Sequence, residues 1–228
     1  KNKNNSEEDF EGGFVLEPQV GLWKNLIDLD IQSMYPNIII SGNLSPETIS
    51  NNGEIWLNNH WFKKEQGFLP TIIKDLFQLR TRYKKLLKET GDKSYHNKQW
   101  SAKILLNAIY GVLAYKGFRL YEPRLASTVT WTGRRIINWS KEIVEKDGYI
   151  IVGSDTDSLM VKLPDEYDFE KCIEIGKMLR VKLNESYTIL MKQFNIENHT
   201  FNMQFEKYFK TFLILAKKNY AGWLVWKD

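Results

Sequence analysis

Residues 149–163 read YIIVGSDTDSLMVKL, and the rest of the chain is organised around them. Two apolar runs, 149–152 and 159–163, flank Gly153-Ser154-Asp155-Thr156-Asp157-Ser158, which reads as a β-hairpin with its turn at the acidic residues. In a strand, residues i and i+2 face the same way, so the turn holds Asp155 and Asp157 close together. Two like charges so placed repel unless a cation sits between them, and a hard divalent cation fits. A solvated turn is the plainer alternative, because Asp, Ser and Gly are ordinary turn residues.

At 228 residues the chain is long enough for one large domain or two small ones. A net charge of +4, made from many charges of both signs, permits a nucleic-acid partner without requiring one. The single cysteine, Cys172, excludes an internal disulfide and suits a reducing compartment; it falls in a helical pattern as a core residue. There is no secretory signal and no apolar run near the ~20 residues a membrane span needs. Residues 1–11 are charged, Asn-rich and aperiodic, which predicts a flexible lead-in, and the start at Lys1 without methionine predicts a segment of a longer protein. His60, His96 and His199 are scattered without ligand spacing and are assigned no metal.

Outward from the hairpin, residues 14–16 and 26–30 read as strands, the second ending on Asp30. IQSMYPNIIISGN follows, a short helix with Pro36 in its first turn and Gly42-Asn43 as the stop. A strand that runs into a short helix presents its last side chain and the next backbone N–H groups at one edge, a good place for a metal and phosphate oxygens. Residues 54–57 form one short strand among turns.

Two long helices are predicted next, from Pro70 to Gly91 and over about 94–115, joined so tightly that they form an antiparallel hairpin. Arg80, Lys84 and Lys88 make a basic stripe on the first, and Gln99, Lys103, Asn107 and Tyr110 a polar stripe on the second. Both stripes could be solvent faces; turned inward, they bring Arg80 and Lys103 to one anion. Residues 118–121 read as a brief strand, 123–147 and 168–194 as helices, and 201–205, 211–216 and 221–226 as antiparallel strands. Lys217-Lys218-Asn219-Tyr220 lies between the last two, a basic turn with an aromatic that suits a nucleic-acid backbone.

Three segments in order carry a resemblance. DIQSMYPNII from Asp30 resembles the D-x-x-S-L-Y-P-S-I-I motif of family B DNA polymerases, KILLNAIYG from Lys103 their K-x-x-x-N-S-x-Y-G motif, and SDTDS from Ser154 their Y-x-D-T-D-S motif. GGFVLEP and SGNLSPET look like flanking palm sequence of archaeal and eukaryotic members, FLPTIIKDLFQLR resembles their first fingers helix, and KKNY resembles their K-K-x-Y motif. The similarity covers residue 12 to the end. It departs at Gly153, Ala108, Asn37 and Asn219, none of which is a metal or triphosphate position.

The resemblance implies an α+β fold: an antiparallel palm sheet with packed helices at 12–66 and 117–228, and a helical-hairpin fingers subdomain at 67–116. Asp30 and Asp157 would be the main carboxylates for two Mg²⁺ ions, with Mn²⁺ as a substitute; Asp155 stands close by and the carbonyl of Ile31 completes the site. Ser33, Met34, Tyr35, Arg80, Lys103 and Asn107 would bind the incoming nucleotide, Tyr35 as the steric gate against a ribose 2′-OH. Tyr110 and Gly111 would line the base-pair pocket, Lys217, Lys218 and Tyr220 would touch DNA, and Glu206 is an accessory acid. The implied partners are primer–template DNA and dNTPs, with thumb and exonuclease segments expected to lie outside this chain or on a second subunit, and a sliding clamp reached through the parent protein. The compartment would be cytoplasmic, or nuclear in a eukaryote, with no membrane. A catalytically inactive nucleic-acid-binding scaffold and an unrelated Mg²⁺ phosphohydrolase with a D-x-D turn are the competing readings.

Overall fold

The computed structural model describes residues 16–228. The expected lead-in over residues 1–11, the Gly12-Gly13 turn and most of the expected first strand lie outside the described residues, and Leu16 belongs to no regular element.

A five-stranded antiparallel sheet forms the body, in the order β5-β6-β1-β7-β8. Its central strand β1 (Gly21–Ile31) pairs with β6 (Ser158–Lys162) on one side and β7 (Met203–Ala216) on the other. β5 (Ile150–Asp155) closes the predicted acidic hairpin with β6, and β8 (Asn219–Lys227) is the far edge. The period of two in LIDLDI divides β1 cleanly. Ile27, Leu29 and Ile31 enter the main core, whereas Leu26 joins a smaller cluster with Val152, Met160, Phe212 and Ile214 on the opposite face. Asp28 and Asp30 share Leu26's face, so the core-forming alternation of β1 is also what points two carboxylates away from the core.

Helices α4 (Pro123–Lys146) and α5 (Phe169–Lys192) pack on the core face. Leu125, Val129, Ile136 and Ile137 of α4 and Leu179, Leu183 and Leu190 of α5 are fully buried there. Both helices begin with a side-chain cap, Glu122 accepting from the Arg124 N–H and Asp168 from the Lys171 N–H, which satisfies donors that an uncapped first turn would leave open. α1 (Met34–Ser41) follows β1 at once, and β2 (Ile49–Ser50), β3 (Ile55–Leu57) and β4 (His60–Phe62) make a separate three-stranded sheet in the order β2-β4-β3.

The predicted helical hairpin is α2 (Phe68–Thr90) and α3 (Ser94–Leu113). Gly91 takes φ 68° and returns its N–H to the Leu87 carbonyl, a left-handed cap that favours glycine. The Asp92 carboxylate then accepts from the Ser94 N–H at 2.8 Å and starts α3. Two expectations change. Residues 118–121 are turns rather than a strand, because no neighbouring strand supplies a ladder; Phe118 and Tyr121 close local bonds to the Tyr115 and Phe118 carbonyls instead. The expected strands 201–205 and 211–216 merge into one strand, β7, which starts only at Met203 and leaves Phe201 and Asn202 outside it; Lys207 and Tyr208 between them pair with both β1 and β8.

Candidate active site

The β5–β6 turn is tight. The Asp157 N–H donates to the Asp155 carbonyl at 2.6 Å, across Thr156 at φ 56°. A β-branched residue is strained in that region, and such strain persists where the surroundings over-determine it. The surroundings here are the β1 ladder: Asp30 stands opposite Ser158, and the Ile31 N–H donates to the Asp157 carbonyl at 2.8 Å. The end of β1 and the hairpin tip, more than a hundred residues apart in sequence, are thereby fixed side by side.

Asp30, Asp155 and Asp157 line one cleft of about 760 Å³, together with Asp28, Lys207, Lys218 and Tyr220. Burial, followed by the charges of Asp157, Glu206 and Asp28, pushes the Asp30 carboxyl up to about 7. Burial likewise raises Asp157 to about 6, with Asp155, Asp28 and Glu206 adding to it. These are carboxylates held together against their mutual repulsion. Asp155 is placed differently: its Oδ1 lies 3.4 Å from Lys218 Nζ, at the β7–β8 turn. The turn that carries Lys217 and Lys218 therefore meets the acidic hairpin, and Lys217 lines a small pocket with Asp155 and Tyr220.

Among the described residues, no group of three or more His, Cys, Asp or Glu side chains is arranged to hold a metal ion alone. The chemistry of the donors still suits Mg²⁺, which dehydrates reluctantly and usually takes one or two carboxylates plus substrate phosphates. Asp30 and Asp157, the pair whose acidity burial and crowding weaken, are that kind of set. Glu206, expected as an accessory acid, bears electrostatically on both and pairs with Lys207 at 3.3 Å.

Tyr35, the second residue of α1, packs its ring against Tyr110 of α3 with centroids 4.5 Å apart. Burial and then the charge of Asp157 raise the Tyr35 phenol, so α1 stands between the carboxylates and the helical hairpin. Tyr110 is pushed up to about 12 by burial and by Tyr35. Behind Tyr35, a Cβ added at Gly133 of α4 would meet Met34 Cε at 2.9 Å and Tyr35 Cε1 at 3.4 Å, so glycine there lets α4 approach α1 closely. Ser33 takes φ 51° and makes no side-chain cap, leaving the first N–H groups of α1 without a capping side chain.

The hairpin cations form a second cluster. Burial, with the charges of Arg80 and Lys103, lowers the Lys84 ammonium. Arg80 Nε is buried without a hydrogen-bond partner, and Lys103 Nζ lies over the Trp100 ring, 5.0 Å from its centroid. Three cations that repel one another, one with an orphaned donor, are built to receive an anion. On the same helix Asn107 is exposed, and a Cβ at Gly111 would meet nothing within 4 Å, so both face open space. The Tyr35–Tyr110 ring contact links the helix that follows the carboxylate strand to the hairpin that carries this cluster.

Sequence reasoning missed one pair. Asp28 and Lys207 are direct partners in the β1–β7 register, and Lys207 Nζ donates to Asp28 Oδ2 at 2.7 Å. Asp28 is buried, which raises its pKa despite the lysine, and its Oδ1 has no partner. The alternation in LIDLD already put Asp28 on Asp30's face, but nothing local indicated a partner 179 residues later.

The fold is an α+β domain whose central strand brings Asp30 beside an acidic hairpin and which carries a cationic helical hairpin, an arrangement whose chemistry suits phosphate groups. The sequence profile of DNA polymerase family B matches residues 1–228, and the chain belongs to that family. It is 32% identical over 225 residues, 94% of this chain, to a DNA polymerase of Desulfurococcus sp. (strain Tok). Identity to DNA polymerase II of Escherichia coli is 29%, over 92% of this chain, and to the DNA polymerase alpha catalytic subunit of Xenopus laevis 31%, over 97%. The chain spans 28% of the length of the Desulfurococcus and Escherichia proteins and 15% of the Xenopus subunit. Among the described residues, no helix is long and apolar enough to cross a membrane.

Proposed function

We propose that this chain is the catalytic palm and fingers portion of a template-directed DNA polymerase, with 12–66 and 117–228 as palm and 67–116 as fingers. The observation that carries the proposal is the Ile31 N–H···Asp157 bond, which seats Asp30 beside Asp157 on the wall of the cleft. In the reaction, the primer 3′-oxygen forms a bond to the α-phosphorus of a dNTP while the bond to the pyrophosphate oxygen breaks, and the 3′-hydroxyl proton leaves to solvent. Asp30, Asp157 and the Ile31 carbonyl would hold two Mg²⁺ ions, which when bound offset charge on the attacking and leaving oxygens.

The chain's own groups do the rest. Arg80 grips the triphosphate with its fork and Lys103 meets it as a point charge, so the mutual repulsion in the cluster is relieved when the anion arrives. The uncapped N–H groups at Ser33, Met34 and Tyr35 add donors at a helix N-terminus. Tyr35 lies under the sugar and leaves no room for a 2′-hydroxyl. Asn107, Tyr110 and the bare surface of Gly111 receive the nascent base pair, and movement of the hairpin over a correct pair aligns the reacting atoms. Lys217, Lys218 and Tyr220 hold primer–template at the cleft mouth, and Asp155, tied to Lys218, joins that contact to the carboxylate site.

A scaffold that only binds nucleic acid would have no use for a crowded carboxylate pair held against repulsion. Asp157→Ala separates the two readings: primer–template binding should persist while nucleotide addition disappears. Addition that survived Asp157→Ala would remove the carboxylate assignment.

A further inference from the structure

α2 carries Arg80, yet it begins without a cap of its own. Its N-cap residue is Gly67, which has no side chain, and Phe68, Leu69 and Pro70 follow, of which the proline has no N–H to satisfy. Three donors are left at the first turn, and one upstream segment accepts from all of them. The Gly67 N–H donates to Asn43 Oδ1 at 2.9 Å, the Phe68 N–H to Glu47 Oε1 at 2.6 Å and the Leu69 N–H to Ser45 Oγ at 3.3 Å.

The accepting segment is itself held. Asn43 Nδ2 donates to the Lys63 and Glu65 carbonyls at 2.7 and 2.6 Å, Ser45 Oγ to Glu47 Oε2 at 2.7 Å, and Thr48 Oγ1 to the Asn43 carbonyl at 2.7 Å. Asn43 and Ser45 are buried, and a Cβ added at Gly67 would meet Ser45 Cβ at 2.8 Å, so the foot of α2 sits directly on this segment. Burial acts to raise the Glu47 carboxyl, but the bonds from the Phe68 N–H and the Ser45 hydroxyl outweigh it and hold its pKa below the ordinary value. A carboxylate is also the charge that a helix N-terminus favours.

The segment is the direct continuation of α1. The Asn43 and Leu44 N–H groups close back on the Ile40 and Ile39 carbonyls of that helix. One hydrogen-bonded connection therefore runs from Tyr35 and the open N–H groups of α1 to the foot of α2. Arg80 stands twelve residues beyond Phe68, about 18 Å along the helix, so a tilt of about 5° at the foot moves it by about 1.5 Å.

We infer that Asn43, Ser45 and Glu47 are positioning residues for the incoming nucleotide: by capping α2 from the end of α1, they set the tilt of the helical hairpin and with it the place where Arg80 meets the triphosphate. The inference rests on the proposed polymerase reading, which gives Arg80 that partner.

Glu47 is the exposed member of the three and the position to change. The test is a calorimetric titration with the complementary dNTP and Mg²⁺ of the 228-residue chain bound to a primer–template whose primer ends in a dideoxynucleotide. Glu47→Ala should weaken dNTP binding about tenfold with DNA affinity unchanged. Glu47→Gln, whose amide oxygen still accepts from Phe68, should recover most of the loss. In an Arg80→Ala background, Glu47→Ala should cost almost nothing more, because it acts through the arginine. Circular dichroism checks folding; if Glu47→Ala unfolds the chain, Glu47→Asp, one methylene too short for the Phe68 N–H, makes the same measurement. A cap that serves stability alone would lower Tm and leave dNTP affinity as it was. That result, additive losses from Glu47→Ala and Arg80→Ala, or a wild type that binds no dNTP would each overturn the inference. Failure of the polymerase reading looks different: the coupling between Glu47 and Arg80 is present, but a primer with a free 3′-hydroxyl gains no nucleotide.

Discussion

Lys207 reaches Asp28 from directly across the β1–β7 ladder, at 2.7 Å and two residues before Asp30. The β1–β7 register shifts immediately afterwards: Asp28 faces Lys207 and Leu29 faces Phe205, so Glu206 is an extra residue in β7 and the pair stands beside that bulge. Removing the lysine leaves Asp28 buried with neither oxygen paired. Lys207→Met should destabilise the chain by about 1–3 kcal/mol, toward the low end because Lys207 is partly exposed. Asp28→Leu combined with Lys207→Met should recover most of that loss. Urea melts of the two single variants and the double variant measure the coupling; additive losses would mean that the ion pair contributes nothing.

Tyr35→Ala removes the ring that Tyr110 backs at 4.5 Å. The cavity would admit a ribose 2′-hydroxyl, and the preference for deoxyribonucleotides in single-turnover incorporation should fall by at least about tenfold. Unchanged sugar discrimination would remove the steric-gate assignment.

Much of this was legible because strands and helices announce themselves by period. The acidic hairpin, the α2–α3 pair and the Lys103–Asn107–Tyr110 face all follow from local pattern, and the polymerase motifs fix their order. The unread parts depend on partners distant in sequence. FRLY at 118–121 alternates like a strand but has no ladder to join, whereas Glu206-Lys207 interrupts an apolar run that β1 and β8 nevertheless hold as one strand. β2 and β4, at two and three residues, are too short for any period to show.

His199 supplies a pH dependence away from the cleft. Its Nδ1 accepts from the Phe201 N–H at 3.3 Å, and Nε2 is 3.2 Å from the Thr188 hydroxyl. Burial lowers its pKa below the ordinary 6.5. The unfolded chain therefore holds more protons on His199 in the window below 6.5, so stability rises with pH there and is lost as the pH falls. His199→Leu should remove up to about 1.4 kcal/mol per pH unit of that slope. Urea midpoints from pH 7 to pH 5 for both chains check it, and parallel slopes would contradict it.

The central claim is that Asp30 and Asp157 make this chain a template-directed polymerase core. The measurement that reaches it most directly is single-nucleotide extension of a labelled primer, with each dNTP offered against each template base. Mg²⁺, low salt and high protein concentration would favour DNA binding by so short a chain. The account predicts addition of the complementary nucleotide alone, abolished by Asp30→Asn and by Asp157→Ala with DNA binding retained. Addition that ignored the template base or survived either substitution would contradict it, as would firm primer–template binding with no addition at all.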